Sequence, residues 1–202
     1  MTLRRAGIAD TDVLAAMERV PRESFVPEVF ADRAYDNRTL PIGEGQTITQ
    51  PLVVARMTEA LASERRKKIL EIGTGCGYQT AVLAQIHRRV FTIERFPVLL
   101  RAAEARFARL DLHNIVAIAG DGGAGWPAQA PFDRILVTAA APTVPPALLA
   151  QLVEGGVMVL PLGPARGVQQ LTRLTRGADG VRVESLGETR FVPLLAGPAL
   201  AE

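Results

Sequence analysis

Glycines and acidic residues recur at positions where they could hold a nucleotide-like cofactor. The segment Glu71-Ile72-Gly73-Thr74-Gly75-Cys76-Gly77 follows a predicted strand and precedes a predicted helix. Glycines there let the backbone turn sharply and approach a ligand without Cβ clashes. Glu94 ends the next predicted strand, 21 positions after Gly73, and Gly120-Asp121-Gly122 follows the third. Carboxylates at these ends could accept hydrogen bonds from ribose hydroxyls and an adenine amino group, which together predict an adenosine pocket.

Two adenosine-containing cofactors, NAD and S-adenosylmethionine, could occupy such a pocket. The glycines are spaced G-x-G-x-G, whereas the dinucleotide fingerprint is G-x-G-x-x-G. Hydride transfer also needs a proton donor or relay. The two histidines, His87 and His113, lie in a predicted helix and in a helix-to-strand connection, and the sequence has no Tyr-x-x-x-Lys. S-adenosylmethionine is therefore favoured, and the lack of a Cys/His cluster predicts no metal site.

The predicted elements bring these positions to one edge of a sheet. Strands are predicted at residues 68–72, 90–94, 115–119, 132–138 and 156–162, and helices at residues 79–87, 98–110 and 146–152. Strands separated by helices imply a parallel sheet covered on both faces. Right-handed crossovers make this a doubly wound, mostly parallel α/β fold of the Rossmann-like type, which binds ligands at the carboxyl ends of its strands.

Two flanking segments complete a single predicted domain. Helices are predicted at residues 10–20, 26–33 and from Pro51 onward, with an ordered loop at 40–51 between the last two. Residues 169–175 and 181–190 are predicted to be antiparallel strands joined by a turn at 177–180. The chain thus divides into a helical and substrate-loop segment (1–66), a cofactor-binding core (67–162) and C-terminal strands (163–202).

Composition limits the classes of partner. Of 202 residues, 48% are hydrophobic and 22% charged, so the chain should fold. The net charge of only +2 gives no strong field for nucleic acid or an anionic membrane. The lone cysteine, Cys76, excludes an intramolecular disulfide, and neither a signal-peptide pattern nor a membrane-spanning run is evident. We expect a cytoplasmic monomer without nucleic-acid, membrane or metal partners.

From about residue 20 to residue 194 the sequence resembles the protein-L-isoaspartate (D-aspartate) O-methyltransferase family. The resemblance rests on residues 20–27 (VPRESFVP), 40–43 (LPIG), 45–51 (GQTITQP), 70–80 (LEIGTGCGYQT), 93–95 (IER), 120–122 (GDG), 125–126 (GW), 130–133 (APFD), 137–140 (VTAA) and 190–194 (RFVPL). The glycine-rich loop is shared by many methyltransferases, whereas the 45–51 segment is far more discriminating.

The resemblance implies methyl transfer from S-adenosylmethionine to the free α-carboxylate of L-isoaspartyl residues, and more weakly of D-aspartyl residues, in damaged proteins and peptides. The ester then closes to a succinimide, which reopens in part to normal aspartate. The active-site hydroxyl falls on Thr49, where the family usually has serine. The implied cofactor-binding residues are Gln46, Thr47, Glu71, Ile72, Gly73, Thr74, Gly75, Gly77, Glu94, Arg95, Asp121 and Gly122.

This chemistry agrees with the missing histidine or paired-carboxylate site. A free α-carboxylate, with a reference pKa of about 3.3–3.7, is already ionised and nucleophilic at neutral pH, so no general base is required. A hydroxyl such as that of Thr49 can fix the carboxylate by donating to its non-attacking oxygen. The fourth predicted strand ends in Thr138-Ala139-Ala140-Ala141-Pro142, which lacks the Asn/Asp-Pro-Pro-aromatic acceptors common in base-amine methyltransferases.

Two alternatives remain open at the level of sequence. The first is a methyltransferase for another carboxylate or small molecule on the same scaffold. The second is a non-catalytic module that binds S-adenosylmethionine without turnover, an option that the Ser-to-Thr difference at Thr49 keeps open. A methyl-transfer assay with isoaspartyl and normal aspartyl peptides distinguishes all three.

Overall fold

The computed structural model describes residues 3–62, 67–197 and 199. Within these ranges the strands are β1 (Leu40–Gly43), β2 (Gln46–Ile48), β3 (Lys68–Ile72), β4 (Arg89–Glu94), β5 (Ile115–Ala119), β6 (Phe132–Val137), β7 (Leu152–Leu162), β8 (Gln169–Gly177) and β9 (Gly180–Thr189). The α-helices are α1 (Thr11–Arg19), α2 (Pro51–Ala60), α3 (Tyr78–Ile86), α4 (Pro97–Arg109) and α5 (Pro146–Ala150). Short 3-10 helices lie at Leu3–Ala6, Arg22–Phe25, Glu28–Arg33, Gly122–Ala124 and Pro127–Gln129.

Seven of the strands form one sheet in the order β5-β4-β3-β6-β7-β8-β9. The pairs from β5 across to β7 are parallel, and β7-β8 and β8-β9 are antiparallel. Helices α3, α4 and α5 each connect two parallel strands, so the carboxyl ends of those strands meet at one edge. This arrangement confirms the predicted doubly wound α/β fold with a C-terminal antiparallel region.

Alternating side chains of the parallel strands bury the two faces of the sheet. Ile69 and Leu136 pack in the cluster that contains residues of α2 and α3. Leu70 and Ile135, the strand neighbours of those residues, pack in the cluster that contains Leu148 of α5. Because successive strand residues point to opposite faces, a strand covered on both sides carries apolar residues on both faces, as β3 and β6 do.

The N-terminal segment differs from its prediction mainly in the region of residues 40–51. Asp10 caps α1 as predicted, since its Oδ1 accepts hydrogen bonds from the backbone N–H groups of Asp12 and Val13. The predicted loop at 40–51 instead contains the β1-β2 hairpin, which pairs antiparallel. Its turn residues Glu44 and Gly45 have positive φ angles of 52° and 65°. That conformation matches the twist of a two-residue hairpin. The Pro and Gly residues of this segment had indicated a loop instead of strands.

The remaining differences are small. Strand β7 begins at Leu152, four residues before its prediction, because the helix α5 ends at Ala150. The predicted helix at 26–33 is a 3-10 helix. Residues 63–66, at the predicted boundary before the core, lie outside the described residues. No helix in the described residues is long and apolar enough to cross a membrane. Those residues also contain no group of three potential His, Cys, Asp or Glu metal ligands.

Candidate functional site

A cavity of about 260 Å³ opens at the carboxyl ends of the parallel strands. The parts of the chain that line it include the β1-β2 hairpin with Thr49, the loop after β3, the end of β4, and the segment Val192–Leu195. The predicted site residues that line it are Gln46, Thr47, Thr49, Ile72, Gly73, Thr74, Gly75, Glu94, Arg95 and Gly122. The fold therefore brings predicted residues from four separate sequence segments to one site.

Glycine is needed in the loop after β3 for two different reasons. Gly73 has a φ of +94°, and a Cβ added to it would lie 2.3 Å from the Thr138 Oγ1 atom. That hydroxyl donates to the Gly73 carbonyl at 2.8 Å, so the loop lies directly against the end of β6. Gly77 lies outside the cavity lining, and a Cβ there would lie 2.6 Å from the Phe107 ring. Gly77 therefore allows α3 to pack against α4.

Glu94 joins the end of β4 to the glycine loop. Its Oε2 accepts a hydrogen bond of 2.7 Å from the Gly75 N–H, and its Oε1 accepts one of 2.9 Å from the Phe96 N–H. Only 4% of the residue is exposed, and it forms part of the cavity wall. Each carboxylate oxygen can accept a further hydrogen bond, so Glu94 could also bind the two hydroxyls of a ribose.

Arg95 also lines the cavity, next to Glu94. Its guanidinium lies over the Phe96 ring, 5.8 Å from the ring centroid. The buried Nε and Nη1 atoms have no hydrogen-bond partner among the described residues. Buried donors of this kind are normally satisfied, so Arg95 has hydrogen-bonding capacity that no described residue uses.

Glu71 lies beneath the glycine loop, outside the cavity lining. It is fully buried, and its Oε2 accepts hydrogen bonds from the hydroxyls of Thr80 at 2.5 Å and Thr92 at 2.8 Å. Burial raises the pKa of the Glu71 carboxyl to about 8; the two hydroxyl bonds oppose this shift and the charge of Glu94 adds to it. The geometry makes Glu71 a support for the loop, and its predicted contact with the cofactor stays a prediction.

Asp121 connects the sheet edge to the C-terminal segment. Its Oδ1 accepts a hydrogen bond from the Gly123 N–H and its Oδ2 one from the Gly197 N–H, both at 2.8 Å. The carboxylate lies outside the cavity lining, whereas the neighbouring Gly122 lies in it. A Cβ on Gly122 would lie 2.2 Å from the Ile72 Cγ2 atom, so the backbone passes very close to β3.

Some lining residues were not among the predicted site residues. The segment Val192–Leu195 closes one side of the cavity and is held by two hydrogen bonds of 2.7 Å with Ala140. Tyr78, Gln79, Phe96, Thr138 and Ala139 also line the cavity. The resemblance at 190–194 was the one sequence signal for the C-terminal segment. Cys76 lies in the lining too, and burial raises the pKa of its thiol to about 11, so it is an unreactive thiol at neutral pH.

Thr49 lines the same cavity as the glycine loop and lies between β2 and α2 in the chain. Pro51 begins α2 at a position where its missing N–H costs nothing, which fixes where the hairpin segment ends. The Thr49 carbonyl accepts a hydrogen bond of 2.6 Å from the Arg22 Nη2. The site therefore combines an adenosine-type half, formed by the sheet edge, with a hydroxyl on a separate hairpin.

The sheet order and a glycine-lined cavity with an acidic wall define a class I methyltransferase of the S-adenosylmethionine-dependent type. A model of the family "Protein-L-isoaspartate(D-aspartate) O-methyltransferase (PCMT)" matches residues 1–198. The chain belongs to this family, and the predicted resemblance is confirmed.

Similar proteins match this chain over nearly its whole length. Protein-L-isoaspartate O-methyltransferases of Paramagnetospirillum magneticum and Rhodospirillum rubrum are 57% and 59% identical to it; the matches cover 98% of this chain and 92% and 91% of those proteins. A solved protein-L-isoaspartate O-methyltransferase has a TM-score of 0.84 at 27% identity, over 95% of this chain and 63% of the other. A Plasmodium falciparum structure described as such an enzyme in complex with S-adenosyl-L-homocysteine has a TM-score of 0.80 at 25% identity, over 96% and 94%.

Proposed function

We infer that this chain transfers a methyl group from S-adenosylmethionine to the free α-carboxylate of isoaspartyl residues in proteins and peptides, and more weakly to D-aspartyl residues. One observation carries the inference: a single cavity is lined by Gly73, Gly75 and Glu94 and also by Thr49. A methyl donor beside the first three residues and an acceptor carboxylate beside Thr49 would share that cavity, which is what transfer between them requires.

The residues present fit this cofactor. When bound, S-adenosylmethionine supplies a methyl group on a positively charged sulfonium. Glu94 has lone pairs left for a ribose, and Gly73 and Gly122 pack so closely on Thr138 and Ile72 that no Cβ fits there. Arg95 lines the same cavity and has two buried donors without a partner among the described residues. We propose that these four residues hold the cofactor, together with the backbone of Gly75.

The chain's own residues then act by orientation and exclusion of water. We propose that the Thr49 hydroxyl donates a hydrogen bond to the non-attacking oxygen of the acceptor carboxylate, which fixes the other oxygen for attack. No proton has to be removed, because the acceptor is ionised at neutral pH. Apolar side chains in the lining, including Ile42, Ile72 and Leu194, limit the access of water to the cavity.

We also propose the cellular location, the partners and the oligomeric state of the enzyme. The nearly balanced charge and a buried lone cysteine support a cytoplasmic enzyme that acts on protein and peptide substrates without nucleic acid, membrane or metal. We further propose that it acts as a monomer. The divisions at residues 66/67 and 162/163 are proposed to separate the substrate loop, the cofactor-binding core and the C-terminal strands of one domain.

Methylation of matched peptides tests the proposal. The wild type should methylate an isoaspartyl peptide and leave its normal aspartyl twin unmodified. Thr49→Val should lower kcat by about tenfold to a hundredfold, the value of a hydrogen bond to a charged group, while S-adenosylhomocysteine affinity stays the same. Thr49→Ser is the matched control and should retain activity.

Equal rates in Thr49→Val and wild type would remove Thr49 from the mechanism. Binding without turnover on any peptide would favour a non-catalytic module, and turnover on another carboxylate alone would favour the other alternative.

A further inference from the structure

Arg22 links three segments of the chain from a completely buried position. It lies in the 3-10 helix Arg22–Phe25, and 0% of the residue is exposed. Its Nε donates to the Ala34 carbonyl at 2.7 Å, and its Nη2 donates to the Thr49 carbonyl at 2.6 Å. The guanidinium carbon lies 4.6 Å from the centroid of the Tyr78 ring, at the start of α3. One side chain therefore fixes the Thr49 backbone relative to two other elements.

The buried charge of Arg22 has little compensation. Within the described ranges, no carboxylate lies at ion-pair distance from its guanidinium, and the buried Nη1 has no hydrogen-bond partner. Burial lowers the pKa of Arg22, while Tyr78 and Cys76 act in the opposite direction. A guanidinium nevertheless keeps its proton in proteins. An apolar side chain of similar size would avoid this cost, so stability alone does not explain the arginine.

We propose that Arg22 is a positioning residue that holds the Thr49 backbone so that the Thr49 hydroxyl points to the acceptor carboxylate. The proposal rests on the proposed function of Thr49. Arg22 lies outside the cavity lining, whereas Thr49 lies in it. Its planar, forked donors reach two carbonyl groups at once. A lysine ammonium is a single compact charge and cannot reproduce that geometry.

The chemistry gives a reason for this indirect arrangement. Methyl transfer converts the acceptor carboxylate into a neutral ester. A cation in direct contact with the carboxylate would stabilise the bound substrate more than the transition state, and it would slow the transfer. A neutral hydroxyl at the substrate, held in place by a cation behind it, orients the acceptor without that penalty.

A double-mutant cycle between Arg22 and Thr49 tests the proposal. Rates with an isoaspartyl peptide are measured for wild type, Arg22→Lys, Thr49→Val and the double variant, each expressed per S-adenosylhomocysteine-binding site. Arg22→Lys should lower kcat between about tenfold and a hundredfold, as expected for a misplaced contact, with the cofactor-product affinity unchanged. Thr49→Val should then have much less effect in the Arg22→Lys background than in wild type, because Arg22 acts through Thr49.

Arg134 provides a matched control. It is also a buried arginine, and it donates to the carbonyls of Asp133 and Ala62, away from the cavity. Arg134→Lys should lower the melting temperature and leave kcat unchanged.

Additive effects of the Arg22 and Thr49 changes would overturn the proposal. So would the failure of both Arg22→Lys and Arg22→Gln to bind S-adenosylhomocysteine, since the role of Arg22 would then be structural. An inactive wild type would instead refute the proposed function.

Discussion

The buried carboxyl group of Glu71 should make the stability of the protein depend on pH, and replacement by glutamine should remove that dependence. Glutamine keeps the shape of the side chain but cannot ionise. Its carbonyl oxygen can accept the hydrogen bonds that Thr80 and Thr92 now donate to the Glu71 Oε2. Its amide nitrogen would take the place of Oε1, which has no hydrogen-bond partner among the described residues. The amide has two N–H donors, whereas the carboxyl protonated at low pH has one O–H there. Each additional unsatisfied buried donor costs about 1–3 kcal/mol, so Glu71→Gln should be destabilising at low pH.

The effect of Glu71→Gln on the free energy of unfolding reverses its sign at higher pH. Burial raises the pKa of Glu71 from 4.5 to about 8 in the folded protein. Between these values the folded state holds a proton that the unfolded state has released, so the free energy of unfolding falls as pH rises. The slope is about 1.4 kcal/mol per pH unit, and the loss from pH 4.5 to neutral pH is about 3 kcal/mol. This loss of wild-type stability equals or exceeds the cost of the unsatisfied amide donor in Glu71→Gln, so the variant becomes the more stable protein.

Urea unfolding of wild type and Glu71→Gln at about pH 5 and about pH 8 measures the effect. The difference in unfolding free energy, variant minus wild type, should rise by about 3.5 kcal/mol between these conditions. Glu188→Gln, at an exposed glutamate of β9, is the control and should show almost no change. A difference that stays constant with pH would refute the reasoning, because it would mean that Glu71 has the same charge in the folded and unfolded states.

Two further predictions concern cofactor binding. Glu94→Ala removes the acceptor for the Gly75 and Phe96 N–H groups and the proposed ribose contact. Calorimetry should therefore show S-adenosylhomocysteine affinity reduced by about tenfold to a hundredfold, and an unchanged affinity would exclude Glu94 from the pocket. Gly73→Ala places a Cβ 2.3 Å from the Thr138 Oγ1 and should abolish measurable binding. Adding Thr138→Ala should restore it only in part, because the φ of +94° still disfavours alanine; full restoration would contradict the strain argument.

Local patterns in the sequence were enough to predict the parallel strands and the position of the cofactor loop, whereas the place of β8 and β9 in the sheet was not predicted. The predicted strands at 68–72 and 115–119 match β3 and β5, and the predicted helix at 98–110 matches α4 within one residue. These features depend on local signals: continuous apolar runs for strands buried on both faces, and glycines where the backbone turns. The alternation of strands and helices then determines which strand ends meet. The family resemblance added Thr49, which its local sequence alone would not have distinguished from a loop-capping residue.

The contacts that these side chains make became known from the three-dimensional structure. It showed that Glu71 is buried beneath the loop and bonded to two threonines, and that Asp121 holds Gly197, 76 positions away. It also placed the Arg22 guanidinium on the carbonyl of Thr49, 27 positions along the chain. A carboxylate at a strand end has the same sequence signature whether it faces a cavity or packs under a loop. Burial depends on which distant segments pack over it, and no local pattern contains that information.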